Sequence, residues 1–85
     1  MLPIVKQIAE EFKSEIQRLY GDEFAALILF GSHARGDFHE ESDIDFAVVL
    51  KTTATTSTSE IFKLSKVGNS LSLKYGHFIT YIGMS

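Results

Sequence analysis

The sequence contains no cysteine, a single proline at position 3, and fewer basic than acidic side chains, eight against eleven. The missing cysteines exclude disulfides, thiolate metal sites and a cysteine nucleophile together, and they fit a reducing compartment. The first residues, Met1-Leu2-Pro3-Ile4-Val5-Lys6, lack the basic segment and apolar core of a secretory signal. No uninterrupted apolar run is long enough to span a bilayer. These absences together predict a soluble, cytoplasmic protein with no membrane partner. The net charge of −3 speaks against direct nucleic-acid binding, which needs a basic patch. One more absence is local: Glu60 is the last acid, and Ile61 to Ser85 carry none.

What is present suffices for a core. Eighty-five residues form one domain, residues 1–85, and 45% of them are hydrophobic, including seven Phe and three Tyr. A chain of this size buries only roughly 60–65% of its unfolded surface, so it is marginal alone.

Pro3 suits the first turn of a helix. Val5, Ile8, Ala9, Phe12, Ile16, Leu19 and Tyr20 follow at steps of three and four, which predicts an amphipathic helix ended by Gly21. Phe24 to Phe30 is apolar on both faces and reads as a central buried strand. Ser32 is placed to cap a short helical turn that runs to Arg35, and Gly36 breaks it. A polar loop, Asp37 to Ser42, leads to a second apolar strand, Asp43 to Leu50. Thr52 to Ser59 reads as a Thr/Ser-rich connection, with Ser57-Thr58-Ser59-Glu60 a capping box for the next helix. That helix buries Ile61, Phe62, Leu64, Val67, Leu71 and Tyr75, and Gly68-Asn69 marks a kink or early end. Phe78 to Ile82 is a third strand. The fold class is therefore α/β (α+β): a small mixed sheet with two covering helices, in the order α-β-(short turn)-β-α-β. The Phe30–Asp43 connection is too short for a parallel crossover with a full helix, so strands one and two are expected to be antiparallel neighbours or joined by an abbreviated turn. The chain stops soon after its third strand, which reads as a truncated or minimal form. The open edge there calls for a partner chain or self-association, a homo- or hetero-oligomer.

The informative stretch is Gly31-Ser32-His33-Ala34-Arg35-Gly36, six loop residues, then Asp43-Ile44-Asp45. A Gly-bounded turn after a strand presents backbone N–H groups to a phosphate. Two carboxylates separated by one strand residue share a face, roughly 6.7 Å apart along the chain. Five acids and no Lys or Arg lie between Asp37 and Asp45, so a phosphate-bearing ligand needs a divalent cation beside it. The plainer alternatives are an ordinary turn at Gly31-Ser32 and a solvated strand start at Asp43. Arg35 suits either phosphate charge or a salt bridge to Asp37 or Glu41. His33 and His39 read as exposed loop histidines rather than zinc ligands. Phe12, Phe24, Phe30, Phe46, Phe62 and Phe78 read as core.

Gly31-Ser32, ten residues, then Asp43-x-Asp45 resembles the signature of the DNA polymerase β-like nucleotidyltransferase superfamily. In Gly31 to Gly36 and Ser42 to Asp45 the chain looks most like the minimal nucleotidyltransferase (MNT) domains. The resemblance implies transfer of a nucleoside monophosphate, AMP from ATP, with Mg²⁺ as cofactor. Gly31, Ser32 and Arg35 would hold the nucleoside triphosphate, and Asp43 and Asp45 would be the metal ligands and catalytic acids. It also implies a HEPN-domain toxin as partner, neutralised by AMP transfer to its hydroxyl, which makes the chain an antitoxin. Active members usually carry a third carboxylate on a later strand. Here His77, Thr80 and Tyr81 are the polar side chains of that segment. The alternative is therefore a binding module with weakened or lost catalysis that neutralises a toxin by contact.

Overall fold

The computed structural model describes residues 2–39, 42–51 and 58–84. Helix α1 spans Pro3–Tyr20, with the proline in its first turn, where a missing N–H costs nothing. Its stripe at steps of three and four is fully buried at Val5, Ile8, Phe12 and Ile16 and nearly so at Tyr20. Leu19, at the margin of that stripe, is exposed. A single 3-10 turn, Gly21–Glu23, leads into β1, Phe24–Phe30. A one-turn helix α2 (Ser32–Arg35), β2 (Ile44–Leu50), α3 (Thr58–Tyr75) and β3 (Ile79–Met84) complete the order.

The sheet is mixed, as expected, with order β1-β2-β3. β1 runs antiparallel to β2, from Phe24 opposite Leu50 to Phe30 opposite Asp45. β3 runs parallel to β2, from Ile79 beside Ile44 to Met84 beside Val49. The parallel step is made through α3, the long crossover that such a pair requires. Helices α1 and α3 pack together over one face of the sheet. On that face Ile44, Phe46, Val48 and Leu50 are buried. Phe12 meets Phe46 edge-on at 5.4 Å and Tyr81 at 6.2 Å, the geometry that aromatic quadrupoles favour. Across the helices, Lys74 Nζ reaches Glu11 Oε1 at 2.6 Å, and the Tyr75 hydroxyl donates to Glu11 Oε2.

Four expectations need correction. β1 is an edge strand rather than a central one, and its apolar residues divide between a helix-covered face and an open one. Ile28 and Phe30 stand on the open face with Ile82 and Met84, all exposed. Continuous hydrophobicity therefore came from two different environments. Helix α3 passes through Gly68 unbroken. A side chain there would press on the Tyr81 ring, 3.3 Å from an added Cβ, so the glycine serves close helix–sheet approach. Phe62 and Phe78 are 71% and 79% exposed, and with Phe30 they leave the proposed aromatic core. Finally, Thr58 and Ser59 are helical rather than part of the connection. Residues 52–57 of that connection, with Ser57 of the proposed capping box, lie outside the described residues, as does the side chain of Ile61. Among the described residues no helix is long and apolar enough to cross a membrane.

Candidate active site

β1 delivers its last residue, Phe30, opposite Asp45 of β2. The chain then turns at Gly31, whose φ of 75° and ψ of −156° fall in a region that is essentially glycine's alone. Space demands glycine too, because a Cβ on Gly31 would overlap Asp45 Oδ2. Gly31, rather than Ser32, is the N-cap of α2, and it has no side chain with which to cap the turn. Arg35 N–H donates to the Gly31 carbonyl at 3.1 Å and Gly36 N–H to the Ser32 carbonyl at 2.9 Å. The first N–H groups of the turn have no acceptor within it. Gly36 closes the turn in the left-handed conformation, φ 85°.

Asp45 is half-buried on the open side of the sheet, on the face opposite buried Ile44 and Phe46. Its Oδ1 accepts a hydrogen bond from the Thr80 hydroxyl, contributed by the neighbouring position on β3. Asp43 lies two residues before it, exposed, just ahead of β2. The backbone between them is pinned by Ile44 N–H donating to the Phe78 carbonyl at 2.9 Å. Thus the structure brings Asp45 against the Gly31 turn and leaves Asp43 at the rim. Arg35 forms an ion pair with Asp37, Nε to Oδ2 at 3.2 Å, and both side chains are largely exposed.

His33 departs from expectation, being only 7% exposed. Its Nε2–H donates to the Ser42 carbonyl at 3.3 Å, and its ring stacks on Phe38 at 4.7 Å, 12° from parallel. Its Nδ1 is buried without a partner among the described residues. Ser42 also accepts from the His39 N–H through its hydroxyl and donates its own N–H to the His39 carbonyl. His33 thereby straps the Gly31 turn to the loop that carries Asp43. An aromatic five residues beyond a turn histidine was the available signal. Beneath this strap lies a cavity of about 410 Å³ lined by Leu2, His33, Phe38, His39 and His77.

Among the described residues no three His, Cys, Asp or Glu side chains converge as a self-sufficient metal cage. Asp43 and Asp45 are hard oxygen donors of the kind that Mg²⁺ takes in ones and twos, the rest of its shell being phosphate and water. The Asp45 carboxylate lies flush against Gly31, at the one position of the turn that has no side chain. The residues fit a metal that arrives with its nucleotide, not one held by protein alone.

The family model of the nucleotidyltransferase domain matches residues 5–84. The chain belongs to the nucleotidyltransferase domain family. Three relatives from Methanocaldococcus jannaschii extend the match. The protein named "Putative protein adenylyltransferase MJ0141" is 40% identical over 76 residues, covering 89% of this chain and 75% of the relative. MJ1305 and MJ0604, which bear the same descriptive name, are 40% identical over 48 residues and 48% identical over 40. Those two alignments cover 56% and 47% of this chain and 33% and 40% of the relatives. No solved structure matches significantly.

Proposed function

We propose that this nucleotidyltransferase domain binds a Mg²⁺–nucleoside triphosphate, ATP in the first instance, and transfers AMP to a hydroxyl of a partner protein. The observation that carries the proposal is the Asp45 carboxylate lying against Gly31, a glycine required by both backbone and contact. N–H groups of the Gly31-Ser32 turn, with the Ser32 hydroxyl, would bind phosphate oxygens. Arg35 would exchange Asp37 for phosphate charge, an easy exchange because their pair is exposed and such pairs contribute little. Asp43 and Asp45 would hold Mg²⁺, which would neutralise phosphate charge and polarise the reacting oxygens. The acceptor oxygen bonds to the α-phosphorus, the bond from that phosphorus to the bridging oxygen breaks, and pyrophosphate leaves. The acceptor's proton passes to solvent.

The relatives' description as protein adenylyltransferases supports a protein acceptor. The acceptor we propose is a HEPN-type toxin in the cytoplasm, with this chain as its antitoxin. Exposed Ile28, Phe30, Ile82 and Met84 beside Asp45 support contact with another chain. A second reading is favoured by Thr80, which stands next to Asp45 where an acid would complete a three-carboxylate site. On that reading the chain neutralises its partner by contact without transferring AMP. Incubation with labelled ATP, Mg²⁺ and the candidate toxin separates the two. The enzyme reading expects a toxin heavier by one AMP moiety, and no such product from the Asp43→Ala/Asp45→Ala double variant. Neutralisation that survives this double change with no label transferred would establish the binding module.

A further inference from the structure

We infer that Thr80 is the positioning residue for Asp45 and that position 80 borders the place of the cation, an inference that rests on the nucleotide-binding reading above. Thr80 sits beside Asp45 in the parallel register, while the next pair, Phe46 and Tyr81, turns to the helix side. Thr80 and Asp45 therefore share the open face. The Thr80 hydroxyl donates to Oδ1, and Oδ2 lies against Gly31. One oxygen is held by a hydrogen bond and the other is confined by the turn, so the carboxylate is set from both sides. A β-branched side chain suits this task, because threonine has few χ1 states.

The surroundings of Asp45 sharpen the point. On this face its strand continues through Ala47 and Val49, flanked by Ile28 and Ile82. Among the described residues no Lys or Arg pairs with Asp45. Asp45 is only half-buried and Thr80 is exposed, so the carboxylate stays within reach of a cation that arrives with a ligand. The hydroxyl orients the acid but brings no charge. A cation brought by a ligand would meet this oriented carboxylate with position 80 beside it.

The test uses Mn²⁺ as probe, followed by electron paramagnetic resonance, alone and with a non-hydrolysable ATP analogue. Wild type, Thr80→Val, Thr80→Ser and Thr80→Asp are compared, with thermal unfolding measured alongside. Thr80→Val keeps the shape and removes the donor. Uptake of the Mn²⁺–analogue complex should weaken by about tenfold or more, the usual effect of losing a partner that orients a ligand. Thr80→Ser should restore it to within about threefold of wild type. Thr80→Asp should strengthen binding of Mn²⁺ alone by about tenfold or more, since a second carboxylate would meet the same ion. A purely structural role would shift the unfolding temperature of Thr80→Val and leave both Mn²⁺ affinities unchanged, which overturns the inference. No rescue by serine, or no gain with aspartate, would also overturn it. If folded wild type takes up no complex at all, the nucleotide-binding reading falls with it. If wild type binds and the variants do not differ, only the role of Thr80 falls.

Discussion

Replacing Gly31 by alanine loads two separate penalties onto one methyl group. The first is conformational: an L-residue at φ 75°, ψ −156° carries strain of roughly 1–3 kcal/mol. The second is contact: the new Cβ overlaps Asp45 Oδ2, so the carboxylate must swing off the turn and release the Thr80 hydroxyl. Losing that hydrogen bond at a half-exposed site adds about 1 kcal/mol. A total of about 2–4 kcal/mol is a large share of the roughly 4–13 kcal/mol that a domain of this length possesses. At about 4–8 °C for each kcal/mol, the midpoint should drop by about 8–32 °C. Gly36→Ala is the matched control. Gly36 has φ +85° but, among the described residues, nothing within 4 Å of an added Cβ, so it carries only the backbone cost of about 1–2 kcal/mol. Urea unfolding and titration with a fluorescent ATP analogue in Mg²⁺ read the two effects separately. Gly31→Ala should lose affinity by about tenfold or more, as when a ligand's orientation is lost. Gly36→Ala should stay within about threefold. Equal affinities for the two variants would refute the view that the Gly31–Asp45 contact shapes the site.

Two further outcomes test the packing. Phe46→Ala removes a fully buried ring that meets Phe12 edge-on and should cost about 3–5 kcal/mol, whereas Phe78→Ala at an exposed position should stay within about 0.5 kcal/mol; denaturant midpoints decide. The α1–α3 contact should have a pH window. Its hydrogen bond from Lys74 lowers the Glu11 pKa, so that contribution is present above the ordinary carboxylate range and fades as pH falls below about 4. Hydrogen bonds to Glu11 raise both Lys74 and Tyr75, so their contributions are present at neutral pH and are lost as pH climbs past about 10. Thermal unfolding from pH 3 to 11 should show the Glu11→Gln variant losing the acid-side slope relative to wild type, by a small amount because Lys74 is exposed and Glu11 and Tyr75 are partly so.

The elements legible in the sequence were those with one dominant period. The three- and four-residue steps from Val5 to Tyr20 specified α1 and its buried stripe, and the short Phe30–Asp43 span foretold the antiparallel pair. What periodicity could not show was which neighbour covers which face. Phe24–Phe30 is apolar throughout, yet only its helix-facing side is covered, so Ile28 and Phe30 were misread as core. Gly68 looked like a helix breaker because propensity concerns the helix alone; its reason is the Tyr81 ring on a strand thirteen residues later. In the candidate site, Gly31 and Asp45 stood out through spacing. Thr80 and His33 acquire their places only through strand register and loop closure. His33 offered a polar side chain in a polar loop, and burial came from Phe38 folding over it.

The most direct test of the account is equilibrium dialysis of ATP against the folded chain, with and without Mg²⁺, in wild type and Asp45→Asn. The account predicts saturable uptake that requires the cation and falls by about tenfold or more in the variant. Uptake indifferent to Mg²⁺ or to Asp45, or no uptake by a folded sample, would contradict it.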